Sequence, residues 1–273
     1  MSDTTDQPRE PVLRFPVDAT EYHDNDMLAL LRHPGTGNWP GRLQRPPDPR
    51  NSVFPMDRAL PAFQVFPLAQ LPESRYHPQL FPPYDQQRES SCVGQTWHAI
   101  LRGHPVQYRS LPFTPYRYYR ECQLVDVWDG DEETPPVYEG SSTHAGAKVA
   151  YSRGYISGYV WGDRSAYATT QEALLATLNY LARIGPCAIG VDWHRGMWDT
   201  DATGTIRATG PVDGGHEIKM LGYSKRRKAL RLVNSWGADW GQNGRAWLPW
   251  SDWEFLMAQG GDTCAPSEQR VRG

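Results

Sequence analysis

Fifteen of the 24 prolines precede residue 84. Proline fixes φ near about −65° and removes a backbone donor, so a chain so loaded cannot pair into a central sheet or run as long helices. Residues 1–70 carry PVLRFP, HPGTGNWPG and RPPDP, with one short apolar cluster at 27–31. This stretch is expected to wrap over a surface rather than build a core. Its plainer reading is an extended arm; the sharper reading is a propeptide or a docking arm. From Leu71 the texture changes, and residues 71–265 read as the folded domain, with 266–273 as a short tail.

The folded part divides by pattern. Ser91 can cap a helix with apolar residues at 93, 97, 100 and 101, stopped by Gly103. Thr114-Pro115 opens a second helix through about Asp126. Gly140-Ser141-Ser142 opens a third, about 143–152, and Asp129 to Glu133 reads as a solvated acidic loop. Thr169-Thr170-Gln171-Glu172 is a capping box before an apolar-periodic segment closed by Gly185-Pro186. Strand-like runs follow at Cys187–Trp193, His216–Tyr223, Ala229–Asn234 and Arg245–Trp250. Ser224 to Lys228 is a charged hairpin tip, which accounts for the basic run without nucleic acid. The pattern is α+β: a helical lobe at about 85–165, then an antiparallel β-rich lobe at about 166–260, with a cleft between them.

Composition excludes several classes. The net charge of −3 argues against a nucleic-acid partner. No apolar run approaches the roughly 20 residues of a membrane span, and the polar N-terminus lacks a signal-peptide core, so a cytoplasmic location or a place in a larger assembly is expected. No metal-binding, phosphate-binding or dinucleotide motif occurs, so neither metal nor cofactor is expected. The four cysteines, 92, 122, 187 and 264, form no CxxC pair. Cys122 falls on the apolar face of its helix, while Cys187 and Cys264 have no partner motif. His194 reads as structural.

Cys92 stands apart because it sits where a helix begins. Free N–H groups and the positive dipole end favour an anion there, so a lowered thiol pKa and a nucleophilic thiolate are expected. Such a thiol needs a base. His216 follows Gly214-Gly215 at the start of an apolar strand. Asn234 ends the next strand, and an antiparallel pair can bring the two together, the amide oxygen holding one ring nitrogen and leaving the other for the thiol.

The surrounding residues add a resemblance. Asp85-Gln86 with Cys92 six residues on, Gly215-His216 with Gly222-Tyr223, and Asn234-Ser235-Trp236-Gly237 with Trp240-Gly241 and Gly244 occur in this order. Together they resemble the papain/cathepsin family of cysteine peptidases. The resemblance implies a papain-like two-lobe fold and hydrolysis of protein or peptide substrates through an acyl-thioenzyme, by an endopeptidase. By it, Cys92 is the nucleophile, His216 the base and then the acid, and Asn234 orients His216. Gln86 and the Cys92 N–H form the oxyanion hole. Trp236 shields the Asn–His bond, Trp240 walls the cleft, Gly140, Ser141 and Ser142 pair with substrate backbone, Gly215 also lies at the substrate, and Glu217 borders the pocket for the second residue before the cut. Glu217 then either meets a basic substrate side chain or pairs with Lys219 on the same strand face.

Departures from the family pattern are also legible. Glu89 and Val93 stand where the family has a cysteine and an aromatic, so the usual nearby disulfide is absent. The Cys–His separation is 124 residues, against about 130–150. Residues 1–70 lack the helical pattern of the family's propeptide. Two other uses of the same residues stay open: a papain-like structural or assembly component, docked through its arm, and an acyltransferase that passes the acyl group to an amine.

Overall fold

The computed structural model describes residues 40–44, 54–103, 108, 110–126 and 139–269, which belong to one compact unit. The apolar cluster at 27–31 and the acidic loop at 129–133 lie outside the described residues. In chain order the regular elements are β1 (Ser74–Tyr76), α1 (Cys92–Leu101), α2 (Pro115–Val125), α3 (Thr143–Ser152), β2 (Ile156–Trp161), α4 (Thr170–Arg183), β3 (Cys187–His194), β4 (Val212–Ser224), β5 (Ala229–Val233), β6 (Arg245–Pro249), α5 (Trp250–Ala258) and β7 (Asp262–Gln269).

The helices start where their polar caps allow. Thr114 Oγ1 accepts from Arg117 N at 3.2 Å, and Pro115 fills the first helical position, where no N–H is needed. Ser142 Oγ accepts from Ala145 N and donates to Asp126, whose carboxylate also takes the Ser142 N–H. The Thr169–Glu172 capping box forms reciprocally at α4. Ser91 behaves differently: its hydroxyl accepts from the Gln95 side chain and caps no backbone N–H. Every residue of α1 is buried. This central helix lies against α2, α3 and β4, so packing rather than a cap fixes its start.

The strands form one antiparallel sheet in the order β2-β7-β3-β4-β5-β6, with β1 beside the end of β4. Its core joins Leu178 and Leu181 of α4 to Ile189 and Val191 of β3, Ile218 and Met220 of β4, Leu232 of β5 and Trp253 of α5. Burying a side chain of this size contributes about 1.5–3 kcal/mol. The mixed helical and antiparallel architecture is the α+β, papain-like, two-lobe arrangement expected.

Three expectations about boundaries change. Residues 54–70 do not merely wrap the surface: three short 3₁₀ turns run through them, and Met56 and Leu60 are buried, Met56 within the sheet core. Strand β2 arises in the nominally helical half yet pairs with β7. The expected tail begins inside β7, where Pro266 O accepts from the buried Tyr180 hydroxyl at 2.7 Å.

Candidate active site

Strand β4 places His216 and Glu217 side by side, facing opposite ways. In the β3–β4 register, His216 lies opposite Val191 and Glu217 opposite Gly190. Asn234 follows β5, and its Oδ1 accepts from His216 Nε2 at 2.8 Å and from Ser235 N at 2.8 Å. The backbone N–H of Ser235 can only donate, so the Asn234 atom facing it, and facing His216, is the carbonyl oxygen. Nε2 therefore carries the proton, and Nδ1 presents a lone pair. His216 Nδ1 is buried and has no hydrogen-bond partner among the described residues.

Indoles surround this pair. Trp236 stacks on His216 with ring centroids 4.5 Å apart, and Trp193 meets it edge-on at 4.9 Å. Trp198 stacks behind Trp236 at 4.6 Å, and Trp240 donates from Nε1 to Trp198 O. Trp240 is thus a prop behind the box rather than an open wall. Sequence reasoning missed Trp193 and Trp198. Trp193 stands two residues from Val191 on one strand face and could have been read as His216's neighbour; nothing local marks Trp198.

The Gln86 segment joins the motif at residues 234–237 through backbone pairing. Gln86 N donates to Ser235 O at 2.7 Å, and Gly237 N donates to Tyr84 O at 2.8 Å. The Gln86 side chain is buried, accepting from Ser235 Oγ and donating to Glu89 O. Its amide is thereby held next to the start of α1.

Cys92 opens α1 and is fully buried. The N–H groups of Glu217, Gly41 and Val93 reach its sulfur. Glu217 is the residue after His216, so Cys92 lies against the strand that carries the imidazole. Its electrostatics reverse the expected thiolate. Burial first, then the nearby Glu217 carboxyl, pushes the Cys92 thiol up to about 12, and the three N–H groups offset only part of this. Burial also pushes His216 down to about 4, against the bond to Asn234. In this state both partners are neutral.

The segment Pro40–Gln44 supplies part of that burial, and nothing in the sequence pointed to it. Arg42 N donates to Gly215 O, Leu43 N donates to Ser141 O, and Ser141 N donates to Gly41 O, all at 2.8–2.9 Å. The segment bridges the two walls of the cleft through the backbones of Gly215 and Ser141, both of which were expected at the substrate. Gly215 has to be glycine here, because a Cβ would fall 2.1 Å from Arg42 O. Gly140 donates to the Tyr119 hydroxyl, and Ser142 caps α3, so both hold Ser141 in place.

Glu217 does not pair with Lys219. Lys219 Nζ donates to Ala99 O at 2.7 Å, beside α1. The Glu217 carboxyl instead lies near Thr143, Asp262 and Arg42. Burial pushes its pKa well above the usual range. His194 is held by Gly210 O and Gln259, as befits a structural residue. Cys122, Cys187 and Cys264 are buried and unpaired. Among the described residues no group of three or more His, Cys, Asp or Glu side chains is placed to hold a metal ion.

Residues 126–251, which include His216, Asn234 and Trp236, match the model of the papain family of cysteine proteases. Cys92 and Gln86 lie before that segment. The fold is similar to that of xylellain, a cysteine protease from Xylella fastidiosa, at 20% identity over 89% of this chain and 99% of that one, with a TM-score of 0.60. It is also similar to procathepsin B S9 from Trypanosoma congolense, at 13% identity over 85% and 87% of the two chains, with a TM-score of 0.56. No curated protein matches by sequence. A segment that holds His216 and Asn234 thus matches the papain family of cysteine proteases, and the fold around it is papain-like.

Proposed function

We propose that Cys92, His216, Asn234 and Gln86 carry out peptide hydrolysis as follows, and that cleavage falls within chains rather than at their ends. His216 Nδ1 takes the Cys92 thiol proton as the sulfur attacks the scissile carbonyl. The carbonyl π electrons move to oxygen, which the Cys92 N–H and Gln86 Nε2 stabilise. One such donor is worth about 3–4 kcal/mol in the transition state. Collapse expels the amine, which leaves with the proton from Nδ1. Water then attacks the thioester while His216 takes its proton, and the acid is released with Cys92 restored as a thiol. Asn234 holds Nε2–H throughout, and the Trp236 stack keeps water from that bond.

The observation that carries this reading is the fixed tautomer of His216, with Nε2–H bound to Asn234 and Nδ1 left without a partner. We also read Pro40–Gln44 as a strap that must leave before a substrate can pair with Ser141 and Gly215, and before Cys92 regains contact with water. The chain acts on proteins or peptides; a docking partner that lifts this strap is part of the proposal. The test is reaction of the full chain with a thiol-directed peptide epoxide, followed by mass mapping. Modification at Cys92 alone, lost in His216→Ala, is the expected result. Modification of another cysteine, or none with activity intact, would remove Cys92 from the mechanism.

A further inference from the structure

The outer face of the sheet, away from the cleft, carries cations without acidic partners. In register, Trp247 of β6 lies opposite Arg231 of β5, Arg231 opposite Gly222 of β4, and Gly222 opposite Tyr76 of β1. Paired residues across a sheet share a face, so an indole, a guanidinium, a glycine and a phenol form one row. Gly222 has to lack a side chain where β1 crosses, because a Cβ there would fall 1.9 Å from Arg75 O. Trp247 lines two hollows. The larger, about 600 Å³, has Arg207, Arg227 and Lys228 as its cations and Asp201 and Glu254 as its carboxyl groups. The smaller, about 320 Å³, has Arg75 and Arg231 and no carboxyl group. Neither Cys92, His216, Asn234 nor Gln86 lines either hollow.

Both carboxyl groups of the larger hollow are already engaged. Asp201 accepts from Thr203 N, Thr203 Oγ1 and Thr205 N within its own turn, and Glu254 accepts from Gln171. Arg207 pairs with Asp252 at 3.1 Å. The other four cations have no such partner among the described residues. Arg227 and Arg231 stand over the Trp247 ring, 5.0 and 4.8 Å from its centroid. Their guanidinium groups make only long hydrogen bonds, 3.5 Å to Thr203 O and 3.4 Å to Gln242 Oε1. The side chains of Arg75 and Lys228 make no hydrogen bond or ion pair among the described residues. Burial lowers the Arg231 pKa, the Tyr76 phenol opposes this, and Arg245 and Arg227 add to it. A half-buried cation among other cations gains from an anion brought to it. The chain as a whole has a net charge of −3, so this excess of positive charge is local.

We infer that this face is an exosite, a docking surface that holds an extended acidic segment of a protein substrate outside the cleft. That the segment belongs to a substrate rests on the peptidase reading above. Strands spaced about 4.8 Å apart put Tyr76 and Trp247 roughly 14 Å apart, and an extended chain rises about 3.4 Å per residue, so roughly four residues cross the row. A few more reach into the larger hollow. Guanidinium forks take carboxylates in bidentate pairs, and the Tyr76 ring, 47% exposed, takes the apolar part of the segment. A nucleic-acid base needs a ring to stack on, and the Trp247 ring already carries two guanidinium groups. The negative charge of the whole chain also opposes a long polyphosphate more than a short acidic stretch.

Binding is read with the full chain as Cys92→Ala, which lacks the nucleophile assigned above, and labelled peptides of about eight residues, one rich in Glu and one with Gln in its place, beside an oligothymidylate of similar length. The Glu peptide should bind at least about 10-fold tighter than the Gln peptide, by a margin that shrinks as salt is raised. Arg75→Gln and Arg227→Gln, both at exposed positions, should each weaken it by about 3-fold, and Arg231→Gln by about 10-fold. Arg164→Gln, at an exposed position outside this face, should leave it unchanged. Cleavage is read with the unmutated chain and a short fluorogenic peptide, alone or extended by the Glu or the Gln segment through a flexible linker. The Glu extension should lower KM by about 10-fold with kcat unchanged. Arg227→Gln combined with Arg231→Gln should remove that gain while the short peptide is cut as before. Equal binding of the Glu and Gln peptides, tighter binding of the oligothymidylate, or a KM indifferent to the Glu extension overturns the proposal. Selective binding of the Glu peptide by a chain that cleaves no peptide would keep the docking surface and sink the peptidase reading. Cleavage of the short peptide with no preference for the Glu extension would do the reverse.

Discussion

His216 and Glu217 are adjacent residues, both fully buried, and their surroundings have almost nothing in common. His216 looks into a box of indoles, and Asn234 fixes its tautomer. Glu217 looks into a slot of carboxyl groups around Gly190, closed by a guanidinium. A strand alternates faces with period two, so one residue step separates a dry face around the imidazole from a charged face around a guanidinium. The two side chains share a backbone without sharing an environment. Each can therefore be altered alone.

The largest effect belongs to the indole face. Cys92→Ala and His216→Ala should each lower kcat by at least about 10⁴-fold, and combining them should cost little more, because the pair acts as a unit. The melting temperature of Cys92→Ala should stay close to that of the unmutated chain. Normal turnover in either variant would end the assignment. Next comes Asn234→Ala, which leaves the base in place but free to rotate or change tautomer. A loss of about 10²-fold in kcat with KM little changed is expected, the low end of what a positioned proton-transfer group contributes. A loss confined to KM would make Asn234 a substrate contact.

The smallest effect concerns stability. Lys219 is on the charged side of the strand but turns to Ala99 O, and burial, with help from Arg102, brings its pKa down to about 7 from 10.5. Between those values the unfolded chain binds a proton that the folded chain does not, so this group makes stability rise with pH across the window, by up to about 1.4 kcal/mol per pH unit. The contribution is lost again as pH falls towards 7. Lys219→Met should flatten that slope in urea unfolding measured at several pH values. An unchanged slope would mean that the ammonium keeps its proton when buried.

Much of the site was legible because its signals are local. Gly215-His216, Asn234-Ser235-Trp236-Gly237 and the Thr169 capping box each state their geometry within a few residues. What stayed hidden depends on residues distant in the chain. The protonation state of Cys92 was misjudged because helix position favours a thiolate, whereas burial, contributed partly by Gly41, outweighs it. The pairing of Glu217 with Lys219 follows from period two alone, and fails because α1 offers Lys219 a carbonyl. Strand β7 contains Pro266, which cannot donate to a ladder; its carbonyl is used by Tyr180 instead. Helix α5 starts at Trp250, directly after Pro249, so a strand and a helix abut with no linker to mark the change.

Arg42 belongs to the same chain as the slot it fills, and only nine residues separate Gln44 from Phe54, which opens the buried Met56 turn. A ligand on so short a tether has an effective concentration on the order of millimolar, whatever the concentration of the protein. Dilution does not empty the cleft, and neither does dialysis. If Pro40–Gln44 is the strap proposed above, an incoming peptide meets a rival present at fixed strength, and its apparent affinity is weakened by a constant factor set by tether length and by how well the strap fits. Lengthening or cutting the chain between 44 and 54 would change that factor without touching a single atom of the active site.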